Sequence, residues 1–453
     1  MTKVTVCKQS CPVIRILNMK LTIHRGAEEI GGNCLEFCTD NSRIILDYGI
    51  PLSEIKDGAK LSKTNNSRFL LNIPGLYETW YKSIDGIIIS HCHMDHYGML
   101  FEKPVYKSIP VYMSKLMESL ARVTGKLGPL HRDLQATTKH YYKEIPFQIG
   151  DFKITPFLMD NSAVESFAFL IEAEDKRVIY FGDYRTNEYK RNAFKKFANM
   201  NFGKIDLLIT EGTLIGTNRH ESQKTEHDIF NEIKHIAQKT NGPLFVQCSS
   251  QNIDLLASLG GVADISNKYF LVDAYTAFIL ELVKCRGKQL GIGLEVPSTE
   301  KDYLKIIDWE NGKRELAESL KYDTELNRLN RNTVTWEWIK ANYRNCIIPV
   351  TPDLRWIKRI INDYTGGVFI YSMWDGYLRD PYFRQTKDYF KHKGLRYMHV
   401  HVSGHVYEQN LKQLVSAVNP ELIVPIHTQY KFRFKELFGH RACNLHNKEE
   451  LII

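Results

Sequence analysis

Long apolar runs are missing from this 453-residue chain. None reaches the roughly 20 residues that a membrane-crossing helix needs. The opening residues, Met1-Thr-Lys-Val-Thr-Val-Cys7, lack the apolar core of a signal peptide. A disulfide framework is missing as well. The nine cysteines (Cys7, Cys11, Cys34, Cys38, Cys92, Cys248, Cys285, Cys346 and Cys443) are odd in number and scattered. That is the pattern of reduced thiols, not of a stapled secreted domain. Cys7-x3-Cys11 and Cys34-x3-Cys38 could together hold a structural zinc, but strand-like Cys34–Cys38 is better explained by packing. No internal repeat or low-complexity tract is evident. These absences lead to the expectation of a soluble, cytoplasmic protein with no membrane partner.

What is present is ordinary in bulk. Hydrophobic residues make up 43% and charged residues 25%, as in soluble globular proteins. The length allows large cores and two domains. A net charge of +8 leans mildly toward anionic partners such as nucleic acid.

The chemistry concentrates at residues 85–98. Ile87, Ile88 and Ile89 read as a short buried strand. His91, His93, Asp95 and His96 follow within six residues. His91 and His93 can offer nitrogens to one cation, and Asp95 and His96 an oxygen and a nitrogen to a second. Borderline metals such as zinc take this mixed donor set. Two cations about 3.5–4 Å apart can hold a bridging hydroxide and grip a phosphate. A polar loop with surface histidines is the plain alternative, but four donors at this spacing behind a buried strand rarely arise by chance.

Elsewhere, potential functional groups stand at strand ends. Residues 21–26, 33–38 and 43–47 read as strands, and Asp47 ends the third as either a turn-former or an orienting carboxylate. Alternating strands at 152–158, 167–172 and 177–181 run into Gly182-Asp183. There a carboxylate could bridge two cations. Arg185 and the basic residues 190–196 could meet phosphates or form a solvated face. Glu211 follows the apolar strand 205–209 and needs a partner. His131 and His140 have no neighbours at ligand spacing and read as surface residues.

From about 214 strands alternate with helices, which indicates parallel βα units. Residues 300–345 read as charged and helical. Ser249–Asn252 suits either an anion or plain helix capping. From about 395 strand ends again deliver histidines, His405 after Ser403-Gly404 and His427 after Pro425-Ile426.

This ordered set resembles the β-CASP branch of the metallo-β-lactamase fold, whose members, such as ribonuclease J and the pre-mRNA 3′-end endonuclease, process nucleic acids. The resemblance covers nearly all of the chain from about residue 20. It implies an α/β fold, an αββα sandwich formed by residues 1–213 and 395–453, with a parallel α/β domain inserted at 214–394. It implies metal-assisted hydrolysis of phosphodiesters by two zinc ions, with manganese as an alternative. Site one would use His91 and His93, site two Asp95, His96 and His427, and Asp183 would bridge. Asp47 would orient ligands. Asp95, Glu211 and His405 would be the catalytic set, with His405 as proton donor and Glu211 as its orienting partner. Arg185, Ser403 and Gly404 are weaker candidates for substrate contact. A histidine at position 427 resembles the RNA-processing members, so RNA is the expected substrate. Homodimerisation is left open.

One residue departs from the family. A histidine is expected where this chain has Asn161, in Asp160-Asn161-Ser162. A neutral amide oxygen suits zinc poorly. A natural variant with one loose metal, a non-catalytic RNA-binding relative and an introduced change all fit this residue. Hydrolysis of small esters or thioesters on the same fold is a further alternative.

Overall fold

The computed structural model describes residues 19–52, 70–80, 82–128, 130–186, 189–217, 224–287, 295–309 and 313–453. Cys7 and Cys11, one half of the considered zinc site, lie outside them. Among the described residues no helix is long and apolar enough to cross a membrane.

Three sheets organise the chain. The first has seven strands, in the order Glu450–Ile452, Lys20–Arg25, Cys34–Cys38, Arg43–Leu46, Gly86–Ile88, Pro110–Met113, Thr137–His140. Lys20–Arg25 alternates half-buried and buried side chains, as a strand with one packed face should. Gly86–Ile88 is wholly buried and pairs in parallel on both sides, which explains its unbroken apolar run. The second sheet has six strands, in the order Leu422–Ile426, Leu207–Glu211, Lys176–Phe181, Ser166–Ala173, Phe152–Met159, Phe147–Ile149. The Phe167 amide donates to the Ser90 carbonyl (3.0 Å), tying the two sheets together at the end of Gly86–Ile88.

Leu207–Glu211 and Leu422–Ile426 are parallel neighbours although the chain between them is long. That chain builds the third sheet, in the order Thr333–Val334, Leu304–Ile307, Tyr269–Asp273, Cys346–Val350, Leu244–Gln247, Val368–Tyr371, Arg396–His399, with every pair parallel. Leu244 and Val246 face one apolar core, and Phe245 between them faces another. A sheet covered on both faces needs apolar residues at successive positions, and these strands have them.

Two differences from the sequence reading concern this sheet. Arg396–His399 is its edge strand, so the sheet reaches past residue 394. Its mostly exposed side chains are what an edge tolerates. Within the charged stretch 300–345, Leu304–Ile307 and Thr333–Val334 are strands. Strands of four and two residues among helices of charged composition carry too short a period to read. Near the C-terminus, Phe432–Phe438 is a helix and Glu450–Ile452 a strand, and neither was expected.

Candidate metal centre

Donors converge at the carboxyl ends of the strands of the first two sheets. Ser90 and His91 leave Gly86–Ile88, and Met94–Tyr97 forms one helical turn that buries Asp95 and His96. The turn is seated by backbone bonds: the Asp95 carbonyl accepts from the Gly32 and Asn33 amides at 2.9 and 3.1 Å. A Cβ at Gly49 would collide with that same carbonyl, so the close approach requires glycine there. Gly182 lets Asp183 approach in the same way, because its Cβ would lie 2.5 Å from the Ser90 hydroxyl. His427 follows Leu422–Ile426 in a left-handed conformation (φ 53°).

The donor atoms form three groups, each within 4.8 Å: Asp95, His96, Asp183 and His427; His91, His93 and Asp183; and Asp183, Glu211, His405 and His427. Asp183 is common to all three. His427 Nε2 is 3.1 Å from Asp95 Oδ2 and 3.7 Å from Asp183 Oδ1. His91 Nε2 is 3.1 Å from His93 Nδ1 and 3.7 Å from Asp183 Oδ2. His96 Nε2 and Asp183 Oδ1 are buried and make no hydrogen bond. The two atoms face each other at 3.4 Å; buried polar atoms without a hydrogen bond are costly, and a cation held by both would satisfy them. The donor set therefore fits divalent metal.

Electrostatics agree. Burial, then neighbouring His96 and His93, pushes the His91 pKa down, and burial lowers that of His93. Both are neutral imidazoles, the form that ligates. His96 behaves oppositely. Burial disfavours its charge, but Asp183, Asp47 and Asp95 outweigh burial and raise its pKa. Three carboxylates around one ring make a site that wants positive charge.

Asp47 sits behind the ligands. It is fully buried, with φ 57°. Its oxygens accept from the Ser90 amide (2.7 Å) and hydroxyl (2.8 Å), and from the Tyr180 hydroxyl (2.6 Å); His96 Nδ1 is 2.7 Å away. This contact fixes the His96 ring with Nε2 toward Asp183. Thr213 Oγ1 holds His427 Nδ1 in the same way at 2.7 Å. Ser90, Tyr180 and Thr213 carry no motif, and sequence reasoning missed them.

Glu211 has the partner it needed. His405 Nδ1 lies 3.0 Å from its Oε2 and 3.5 Å from Asp183 Oδ2. The Tyr184, Val406 and Thr213 amides also donate to Glu211 at 3.1, 3.2 and 3.3 Å. Burial works against charge on His405, but Glu211 and Asp183 raise its pKa to about 9. Its side chain stays 24% exposed, so a charged imidazole faces the open side of the cluster.

Asn161 is engaged by backbone groups at both ends of its amide. Its Oδ1 accepts from the Ala163 amide (2.8 Å), and its Nδ2 donates to the Gly404 carbonyl (2.9 Å). It thus ties the loop after Phe152–Met159 to the loop carrying His405. Ser403 Oγ accepts from the His405 amide at 3.3 Å and shapes the same turn.

Arg185 does not meet the expectation of phosphate contact. It is 1% exposed and ion-paired with Asp160 (3.3 Å), Glu226 (3.1 Å) and Asp254. Lys190, beside it, donates to the Asn161 and Ala163 carbonyls at 2.8 and 2.9 Å. His140 pairs with Glu118 (2.6 Å), and His131 is exposed, both away from the cluster.

Glu165, in the same loop as Asn161, was also missed. It is buried, with the Ser114 hydroxyl as its hydrogen-bond partner. Burial first, opposed by Ser114 and Lys190, raises its pKa from 4.5 to about 7. The folded state therefore binds this proton more tightly than the unfolded chain. Stability falls as pH rises from 4.5 to about 7 and is level above that. The span corresponds to about 3 kcal/mol. Glu165→Gln should remove that slope, so its melting temperature should gain on the parent at pH 8 and not at pH 4.5. An unchanged difference across the range would show that Glu165 ionises freely in the fold.

Comparisons with known proteins agree with this architecture. Residues 69–243 match the family described as a β-lactamase superfamily domain. Ribonuclease J of Pyrococcus abyssi is 22% identical over 440 residues, covering 90% of this chain and 89% of that protein. The transcription termination factor FttA of Methanothermobacter thermautotrophicus is 28% identical over 219 residues, 44% of this chain and 32% of that protein. Probable RNase MJ4 of Methanocaldococcus jannaschii is 26% identical over 245 residues, 48% of this chain and 51% of that protein. The chain thus spans only about a third to a half of the latter two. A crystal structure of a protein of unknown function from Enterococcus faecalis V583 superimposes with a TM-score of 0.73 at 18% identity, covering 96% of this chain and all of that one.

Proposed function

With a β-lactamase superfamily domain of the metallo-β-lactamase fold as premise, and a parallel α/β sheet inserted in it, we propose that this chain is a metal-dependent hydrolase of RNA phosphodiesters in the β-CASP branch. The observation that carries the reading is the Glu211–His405 pair set against the His/Asp cluster through Asp183. Relatives named ribonuclease J and RNase MJ4 support RNA as substrate.

Asp95, His96, Asp183 and His427 would hold one divalent cation, and His91, His93 and Asp183 a second. Zinc suits these nitrogen and oxygen donors, with manganese as the alternative. When bound, such cations supply Lewis-acid charge to a phosphodiester and make water nucleophilic at neutral pH. His405 donates a proton to the leaving oxygen, as a general acid with a raised pKa can. Glu211 accepts from Nδ1–H and so favours the imidazolium, which leaves Nε2–H to face substrate. Asp47 and Thr213 orient His96 and His427. Asn161 positions the His405 loop, and the second cation would be held without it. The three-donor group is therefore the weaker of the two sites.

That engagement of Asn161 also favours a second reading, a protein that binds RNA without cutting it. Labelled single-stranded RNA incubated with this chain and with Asn161→His, each with zinc or manganese, separates the two. Cleavage by the parent chain supports the enzyme as it stands. Cleavage by Asn161→His alone would mark the parent as a disabled nuclease. Binding by both without cleavage would sink the enzyme reading.

A further inference from the structure

An aromatic cluster stands outside the three apolar cores. Trp374 and Tyr377 meet edge to face at 5.4 Å, and Tyr377 meets Phe383 at 5.1 Å. All three are half-buried. None belongs to the apolar clusters that support the sheets, although their neighbours Met373 and Leu378 do. The segment follows the carboxyl end of Val368–Tyr371, and that end is where open α/β sheets receive ligands.

The segment is also fastened to the chain that carries His405. The Val400 amide donates to the Tyr371 carbonyl (3.1 Å), His399 Nε2 lies 3.1 Å from the Met373 carbonyl, and the same nitrogen is 3.0 Å from Asp375. From His399 to His405 the chain can extend no more than about 20 Å. A Cβ at Gly376 would collide with the Trp374 indole, so the ring lies flat across its own loop. Burial, and after it the charges of Asp95 and Asp183, raise the pKa of the Tyr377 hydroxyl and keep it protonated.

Two rings on a segment fastened to the chain that leads to His405 offer what unpaired bases need, since any base can stack on an aromatic face. We infer that Trp374 and Tyr377 form a stacking platform for a base of single-stranded RNA, next to the phosphate presented to the metal centre. The platform rests on the RNA reading above. It supplies affinity that does not depend on salt, because stacking neutralises no phosphate.

Binding of a labelled oligouridine, measured by anisotropy in a His405→Ala background, tests it. The comparison probe is an abasic oligonucleotide of equal length and charge. Tyr377→Leu and Trp374→Leu should each weaken oligouridine binding by about 5- to 100-fold. Tyr377→Phe should retain it. Abasic binding and the slope of log affinity against log salt should not change, and Trp374 fluorescence should be quenched by oligouridine alone. Equal losses on both probes, or no loss on either, would overturn the platform while leaving the RNA reading intact. Absence of binding to either probe by the background protein would overturn the RNA reading, and the platform with it.

Discussion

His405→Ala should lower the rate of RNA cleavage by about 100- to 10,000-fold, the range a lost general acid commands. Metal content should be unchanged. The structure gives His405 Nδ1 to Glu211 at 3.0 Å, and Glu211 is already engaged by three backbone amides. Removing the ring leaves Asp95, His96, Asp183 and His427 as a complete donor group. A structural role would cost all substrates alike, whereas an acid role would not. A phosphodiester with a p-nitrophenyl leaving group needs little protonation as it departs, so His405→Ala should cut it nearly as fast as the parent does. Glu211→Gln should follow the same pattern more weakly, since an amide can still accept from Nδ1 but no longer favours the imidazolium. Loss of metal in His405→Ala would instead make His405 a ligand through its contact with Asp183. Full RNA cleavage would remove it from the chemistry.

What the sequence makes legible here follows from local physics. The run His91-x-His93-x-Asp95-His96 declares itself because the strand and the turn that aim the four side chains are contiguous with them. The need of Glu211 for a partner was legible from its place behind an apolar strand, and the structure sets His405 beside it. The parallel sheet was legible from apolar strands that alternate with helices. Leu304–Ile307 was not, since Lys305 inside it lies over the Tyr269 and Trp338 rings and the charge reads as helix surface. Asn161 shows a different limit. Its position could be read, but its partner Gly404 is 243 residues away, and a role made by a distant carbonyl leaves no local trace.

Arg185 is the sharpest case, and it yields the other large effect. A basic residue just after a ligand motif reads as a phosphate contact. Its meaning depends on Asp160, Glu226 and Asp254, which surround it from three separate segments. Glu226 and Asp254 open the helices Glu226–Lys239 and Ile253–Ile265, which flank the inserted sheet, while Asp160 adjoins Asn161. One guanidinium therefore fastens that layer to the loop that positions His405. Arg185→Met would leave three buried carboxylates, of which Asp254 keeps an ion pair with Lys190. Removing one partner of a buried ion cluster costs about 3–5 kcal/mol, and urea unfolding at pH 8 should show a loss of that size. The loss should shrink toward pH 6. Burial, opposed in part by Arg185, already raises the Glu226 pKa from 4.5 to about 7. Without the guanidinium that carboxyl takes a proton more readily, and protonation relieves the repulsion. If Arg185 met phosphate instead, Arg185→Met would leave the urea midpoint unmoved and lower the salt slope of RNA binding by about 1. The two outcomes do not overlap, so this single substitution decides whether the residue fastens the fold or reads the substrate.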